Sequence, residues 1–394
     1  MLLATQVHPL DVEKPITTVA ELRDHLYHAI QVEFSTIPLY LYPAYSIRSQ
    51  GYSQWSAGMS ALRTIRSVVI EEMLHLCLAR NLLVAVGGGD MVRFYDPAMV
   101  PTYPSDMLHR QPRLPLNLAR CTKGLMRDTF MPLELPAADH APPQGGEYNT
   151  LGQFYAAIRL GFERLDRESH DELWAGNQPE LQYLSGYWNQ DGGGSPLVVC
   201  DLGSARQAID TIVEQGEGSS AGDDEVPLDP SKPQLGESEL SHYAKFRAIA
   251  EGIDQIGATW PVPTDPRPEM FEDPVQELAL LFDAAYCYTL CLVDALYGAS
   301  RADSVAGERS RRYHLERTFI GAMGGLLYPI ADLLVRQPIG QGRHAAPTFG
   351  YFPFATDRPK KDQLVERCAA TVARYPSLGG DDGVARQIDL LPSV

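Results

Sequence analysis

Basic charge is scarce in this sequence of 394 residues: Lys and Arg number 33 against 50 Asp and Glu, a formal net charge of -17. A general nucleic-acid binder needs a basic face and a polybasic membrane anchor needs a basic cluster, so neither class is expected. Cysteine is sparse too. Six are scattered at 77, 121, 200, 287, 291 and 368, with no CxxC pair. That pattern argues against a thiolate zinc site or a disulfide framework and reads as buried thiols of a reducing compartment. Residues 1–19 contain no basic stretch followed by an apolar core, so no secretory signal is expected. The longest uncharged apolar helical stretch, Thr318 to Ala331, is 14 residues and too short to span a bilayer. Low-complexity tracts and solenoid periods are lacking. A cytoplasmic globular protein without a membrane span is the expectation.

What is present is helical periodicity. Apolar residues make up 44% and charged residues 21%, enough for a large core. The fold class expected is all-α. Thr18 and Glu21 form a capping box. Behind it Leu22, Leu26, Ile30, Glu33, Ile37 and Tyr40 mark one face of a helix over about 18–47, with Pro38 predicted to kink it. A second helix, about 57–86, carries Leu62, Ile65, Val69, Glu72, His75, Leu76 and Ala79 inward, and Gly87-Gly88-Gly89 ends it. Prolines from 97 to 136 forbid a long helix in a crossover over about 95–146. Further helices are predicted over 150–165, 204–214, 237–251, 274–298, 310–336 and 361–374, with a short strand at Leu197 to Cys200. The expected organisation is a bundle over 1–260, additional helices over 261–345, and a tail over 346–394. The 274–298 and 310–336 helices are too apolar to stand alone, so they should pack on the bundle or form a homodimer interface.

One polar motif occurs twice: Glu72-Met-Leu-His75 and Glu239-Leu-Ser-His242. On a helix, residues three apart project to one side, and in both cases that side is the apolar one. Unpaired ionisable groups aimed into a core would each cost several kcal/mol. A shared cation removes that cost by making carboxylate and neutral imidazole its ligands, the logic of carboxylate-bridged di-metal bundles. Glu33, between Ile30 and Ile37, fits as a single glutamate from another helix. A fourth contributor stays open among Glu214, Glu217 and Glu163. Helical phase sets Glu163 away from its helix's apolar face. Gly216 could break the helix before it and turn Glu217 inward. Carboxylate and imidazole together suit iron, one ion or two, with manganese as the alternative.

The segments Val32 to Leu41, Glu71 to Leu76, Asn81 with Gly87-Gly88, Ile212 to Gly218 and Ser241 to Phe246 together resemble the ferritin-like family named for iminophenyl-pyruvate dimer synthase. Violacein and indolocarbazole pathways contain a related domain inside much larger chains. The resemblance covers about residues 18–350. It implies a ferritin-like bundle with a non-haem iron site at Glu33, Glu72, His75, Glu239 and His242, and a role for the Gln215-Gly-Glu-Gly218 turn.

The function expected is a non-haem iron oxidoreductase using O₂ on a small amino-acid-derived or aromatic metabolite in secondary metabolism. The alternative is an iron-binding or storage protein without small-molecule turnover. A catalytic metal needs an opening. A ligand-sized pocket reaching it is therefore expected, walled by the 95–146 crossover or the acidic 216–233 loop and by tyrosines such as Tyr40 or Tyr243.

Overall fold

The computed structural model describes residues 15–48, 58–138, 141–143, 147–184, 194–217, 225–226, 239–301 and 310–394. Two long helices open it: α1 (Val19–Ser46) and α2 (Gly58–Ala85). The Thr18 hydroxyl accepts from the Glu21 N–H while the Glu21 carboxylate accepts from the Thr18 N–H, so the predicted capping box starts α1. Contacts between the two helices pair Arg23 with Val86, Thr36 with Glu72 and Tyr45 with Arg66, so they run antiparallel.

The crossover holds a two-residue hairpin, β1 (Ser105–Asp106) with β2 (Pro115–Leu116). A helical segment follows: α3 (Lys123–Leu125), a π-turn over Met126–Phe130 and α4 (Met131–Leu133). Then come α5 (Leu151–Glu168), a short α6 (His170–Trp174) and α7 (Leu202–Gly216). α5 packs on α1 and α7, and α7 packs on α2, which closes the bundle. The strand expected at 197–200 is irregular chain; Val199 exchanges hydrogen bonds with the Gln182 side chain instead of a neighbouring strand.

The acidic loop lies mostly outside the described residues. Within it β3 (Glu225–Val226) pairs antiparallel with β4 (Glu239–Leu240). α8 is therefore shorter than expected, His242–Glu251. Ser241 is its N-cap, its hydroxyl accepting from the Ala244 N–H, and Gly252 at φ 89° ends it.

The C-terminal helices are α9 (Val275–Gly298), α10 (Arg311–Ala322), a π-turn over Met323–Leu327, α11 (Tyr328–Val335), α12 (Lys360–Val372) and α13 (Val384–Leu390). α9 sits among α10, α11 and α12, while α11 also reaches α1. The bilayer expectation needs correction. Val275–Gly298 and Arg311–Val335 are both long and apolar enough to cross a membrane by length and composition, at mean hydropathy 1.5 and 1.6. Asp283 interrupts the uncharged run of the first without ending its helix. Of its apolar window 83% is buried inside the protein, against 39% for the second. All six cysteines are free thiols, five buried and Cys200 exposed.

Candidate metal centre

Five carboxylates and two imidazoles meet in the bundle's interior. α1 presents Glu33, Thr36 and Tyr40 along one stripe, the consequence of a 3.6-residue period. α2 presents Glu72 and His75 one turn apart, with Glu71 beside them. His242 is the first residue of α8 and fully buried. Glu217 is the C-cap of α7 and is buried; it keeps helical geometry, its N–H donating to the Val213 carbonyl, so the expected break at Gly216 is not what brings it inward. Glu134 arrives from the crossover, just past α4. Phe130 anchors that segment, its ring 4.7 Å from Tyr40 and 5.0 Å from Phe246.

Glu72, His75 and His242 each offer a ligand atom, all within 4.8 Å of one another. The imidazole rings stack at 5.2 Å. His75 Nδ1 lies 3.7 Å from Glu33 Oε2 and 3.9 Å from Glu72 Oε2. His242 Nδ1 lies 3.0 Å from Glu72 Oε1 and 3.7 Å from Glu134 Oε1. The outer nitrogens are held from behind: His75 Nε2 against Gln215 Oε1 at 3.0 Å, His242 Nε2 against Glu71 Oε2 at 3.0 Å. Both rings thus turn Nδ1 toward the carboxylates, the way a partner on the outer nitrogen orients a ligating histidine. Lys245 Nζ donates to Glu71 at 2.7 Å. Tyr40 donates to Glu134 and Tyr155 to Glu33, both at 2.5 Å, and Thr36 donates to Glu72 at 2.8 Å.

The charges are strained by burial. Desolvation lifts Glu72 to about 7, with Glu134's charge adding and His242 opposing. Desolvation lifts Glu217 to about 8 against donation from the Gly152 and Ala137 N–H groups. Desolvation would also raise Glu71, but hydrogen bonds from His242 and Lys245 bring it below the ordinary range. Burial alone would lower His242; the surrounding Glu134, Glu71 and Glu72 carboxylates push it well above 6.5. Among these groups the His242 Nδ1 atom is buried with no hydrogen-bond partner, because its close approach to Glu72 lacks hydrogen-bond geometry. A nitrogen lone pair facing carboxylate oxygens in a buried cavity is the donor set of a metal site, and mixed N and O donors fit iron or manganese. The cavity that Glu33, Glu72, His75, Glu134 and Glu217 line is about 10 Å³, room for one ion or water.

The sequence-derived residues divide clearly. Glu33, Glu72, His75, Glu217 and His242 converge. Glu214 is exposed on α7, about 100° around the helix from the buried Gln215. Glu163 pairs with Arg206 at 2.7 Å, away from the site. Glu239 lies in β4, ahead of the α8 cap, so the helical i, i+3 relation assumed for Glu239 and His242 does not hold. Glu134 and Glu71 were missed. Glu134 follows a π-turn between Pro132 and Pro136, where no periodicity marks an inward face; its isolation among apolar residues was the one available signal. Among the described residues the cavity at this centre is the small one, and the ligand-sized pocket expected to reach it is not seen. A cavity of about 440 Å³ lies instead between the α1–α2 pair and α9–α11, sharing no lining residue with the small one. Tyr155 lines the small cavity, while Tyr243 sits half-buried beside Arg247.

Similarity to characterised proteins agrees with this geometry. The chain is 27% identical to dichlorochromopyrrolate synthase of Lentzea aerocolonigenes over 96% of its length, and 26% identical to 2-imino-3-(indol-3-yl)propanoate dimerase of Chromobacterium violaceum over 94%. It spans about two-fifths of their length, 41% and 37%. The crystal structure of a ferritin-like protein from Caulobacter vibrioides superposes with a TM-score of 0.57 at 21% identity, covering 85% of this chain and 99% of that one. That likeness speaks for the fold. A ferritin-like family model matches residues 26–251, more than half of the sequence and all of the bundle from mid-α1 to the end of α8. The chain belongs to the ferritin-like family.

Proposed function

We propose that this protein is a cytoplasmic non-haem iron oxidoreductase that uses O₂ on a small, aromatic, amino-acid-derived metabolite in secondary metabolism. The observation that carries the reading is the buried convergence of Glu72, His75 and His242, flanked by Glu33 and Glu134. These five residues would hold the iron, with manganese as the less suited alternative. Iron bound there supplies reduction of O₂ and oxidising power beside the substrate.

The chain's own residues do the rest. Glu71 and Gln215 fix the two imidazoles so that Nδ1 faces inward. Tyr40 and Tyr155 keep their protons, because burial and the adjacent carboxylates hold both phenols far above the ordinary range. They orient Glu134 and Glu33 as hydrogen-bond donors. Glu217 holds a proton near neutral pH at the cavity wall, while Leu151 and Ile212 exclude water. One relative is named as a dimerase of 2-imino-3-(indol-3-yl)propanoate and another as a synthase of dichlorochromopyrrolate; by likeness we assign an aromatic imino or amino acid derivative to this chain. Six free thiols fit a reducing cytoplasm.

O₂ uptake by the iron(II)-loaded protein, with and without the imine of indole-3-pyruvate, tests the proposal. Uptake stimulated by the imine and lost in His242→Ala is expected. Uptake of many irons per chain with no dependence on added organic substrate would contradict it and favour storage.

A further inference from the structure

The 440 Å³ cavity is of ligand-binding size. α1 and α2 carry the metal centre on one face and this cavity on the adjacent one: Phe34 follows Glu33, Met73 follows Glu72, and Leu76 follows His75. Its walls are overwhelmingly apolar, from Ile37 and Val69 to Leu290 and Val293.

Its shape is a trough. The lining residues on α2 run from Arg66 to Leu76, which at 1.5 Å per residue is about 15 Å. Tyr45 to Phe34 on α1 and Tyr286 to Tyr297 on α9 cover similar lengths. One end is formed by Arg66, Tyr45 and Tyr328, the other by Phe94, Tyr183 and Tyr297.

The charge is asymmetric. Among the described residues Arg66 is the one cationic side chain lining the trough. It is half-buried, its guanidinium stands 5.4 Å from the centre of the Tyr328 ring, and no carboxylate pairs with it among the described residues. An arginine at one end of an apolar trough, with its fork of donors not taken by an acid, is a receptor for a carboxylate. The wall beside it includes the π-turn over Met323–Leu327, a helix irregularity that recurs at functional sites.

The geometry points to a second binding site, for a long-chain aliphatic monocarboxylate: the head group on Arg66, the chain along α1, α2 and α9 toward Tyr297. This inference stands apart from the metal chemistry and requires no iron.

Isothermal titration of the full chain with dodecanoate, below its micelle concentration, tests it. Dodecanol serves as the neutral probe and indole-3-acetate as the short aromatic acid. Dodecanoate binding at one per chain is expected, with indole-3-acetate much weaker. Arg66→Gln should weaken dodecanoate about tenfold and leave dodecanol unchanged. Val293→Trp, which fills the trough, should abolish both, and Val293→Phe is the milder variant should the first not fold. Circular dichroism checks folding of each. No binding of dodecanoate, equal affinity for indole-3-acetate, or binding indifferent to both Arg66 and Val293 variants would overturn the proposal. So would uptake seen only with phosphatidylcholine vesicles, which would assign the apolar face of α10 and α11 to a membrane surface.

Discussion

The two halves of the molecule bury opposite things. The bundle of α1, α2, α5, α7 and α8 buries Glu33, Glu71, Glu72, Glu134, Glu217, His75, His242 and Lys245, and five of these, Glu33, Glu72, His75, Glu134 and Glu217, line some 10 Å³. The α9–α11 layer packs aliphatic and aromatic side chains around some 440 Å³. The same two helices serve both, so the difference lies in which face is turned where. Ionisable groups force close quarters, because each needs a partner within bonding distance and an orphan costs several kcal/mol. Apolar side chains require only exclusion from water, so their layer tolerates a cavity.

Asp283 shows the contrast in miniature. It is a buried acid in the apolar half, with no cation beside it among the described residues; Thr348 and Gly350 donate to one of its oxygens. Desolvation lifts it to about 7. The apolar half copes with an acid by keeping it protonated. The bundle copes by surrounding its acids with imidazoles and an ammonium.

The largest effect expected in the bundle is loss of the metal. His75→Ala or His242→Ala should reduce iron content by about tenfold or more, as read by elemental analysis of purified protein, because each removes a nitrogen donor. Iron retained at the level of the unaltered protein in both variants would erase the distinction between the halves.

Next in size is Lys245→Met. It leaves Glu71 buried without its ammonium, a change worth about 3–5 kcal/mol when a buried pair loses one partner. Urea unfolding should register it. A loss no greater than that of a surface lysine would mean that the polar core is wetter than described.

Asp283→Asn sharpens the comparison from the other side. The folded state raises this acid from 3.8 to about 7, so it binds a proton that the unfolded chain has released between those values. Its contribution to stability is complete below pH 4 and is lost as pH rises through 7. The amide resembles the protonated acid. The variant should therefore gain on the unaltered protein between pH 5 and pH 8, by about 2 kcal/mol in urea unfolding. The same difference at both pH values would refute the protonated state.

The smallest effects compare added volume. A methyl at Gly152 would collide with the Glu217 carboxylate, so Gly152→Ala should cost about 1 kcal/mol or more. Val293→Ile adds a similar volume against the trough and should cost less than about half of that. Equal thermal shifts for the two would show the halves equally tight.

Much of this was legible in the sequence, for reasons that also mark the limit. Glu33, Glu72 and His75 sit mid-helix on α1 and α2, where a 3.6-residue period tells the inner face from the outer. Glu217 was weighed because Gly216 stands just before it, yet it keeps helical geometry as the C-cap of α7, so the expected break was not the cause. His242 was found through a helical pairing with Glu239 that the chain does not make: Ser241 caps the helix, and the preceding residues pair as a strand. Glu134 was invisible because the segment presenting it is held by Phe130 against Tyr40 and Phe246, a tertiary contact with no local pattern. The trough was invisible as well. Periodicity tells which residues face inward and carries no information on whether the inward volume is filled.

The central claim is that one buried centre, built from Glu72, His75 and His242 with Glu33 and Glu134, holds iron. Anomalous diffraction from crystals of the iron-loaded protein, measured on both sides of the iron absorption edge, tests it most directly. The account predicts an iron peak in the small cavity, bonded to the Nδ1 atoms of His75 and His242 and to Glu72. A peak coordinated by Glu214 or Glu239 in place of these residues, or no peak in the bundle, would contradict it.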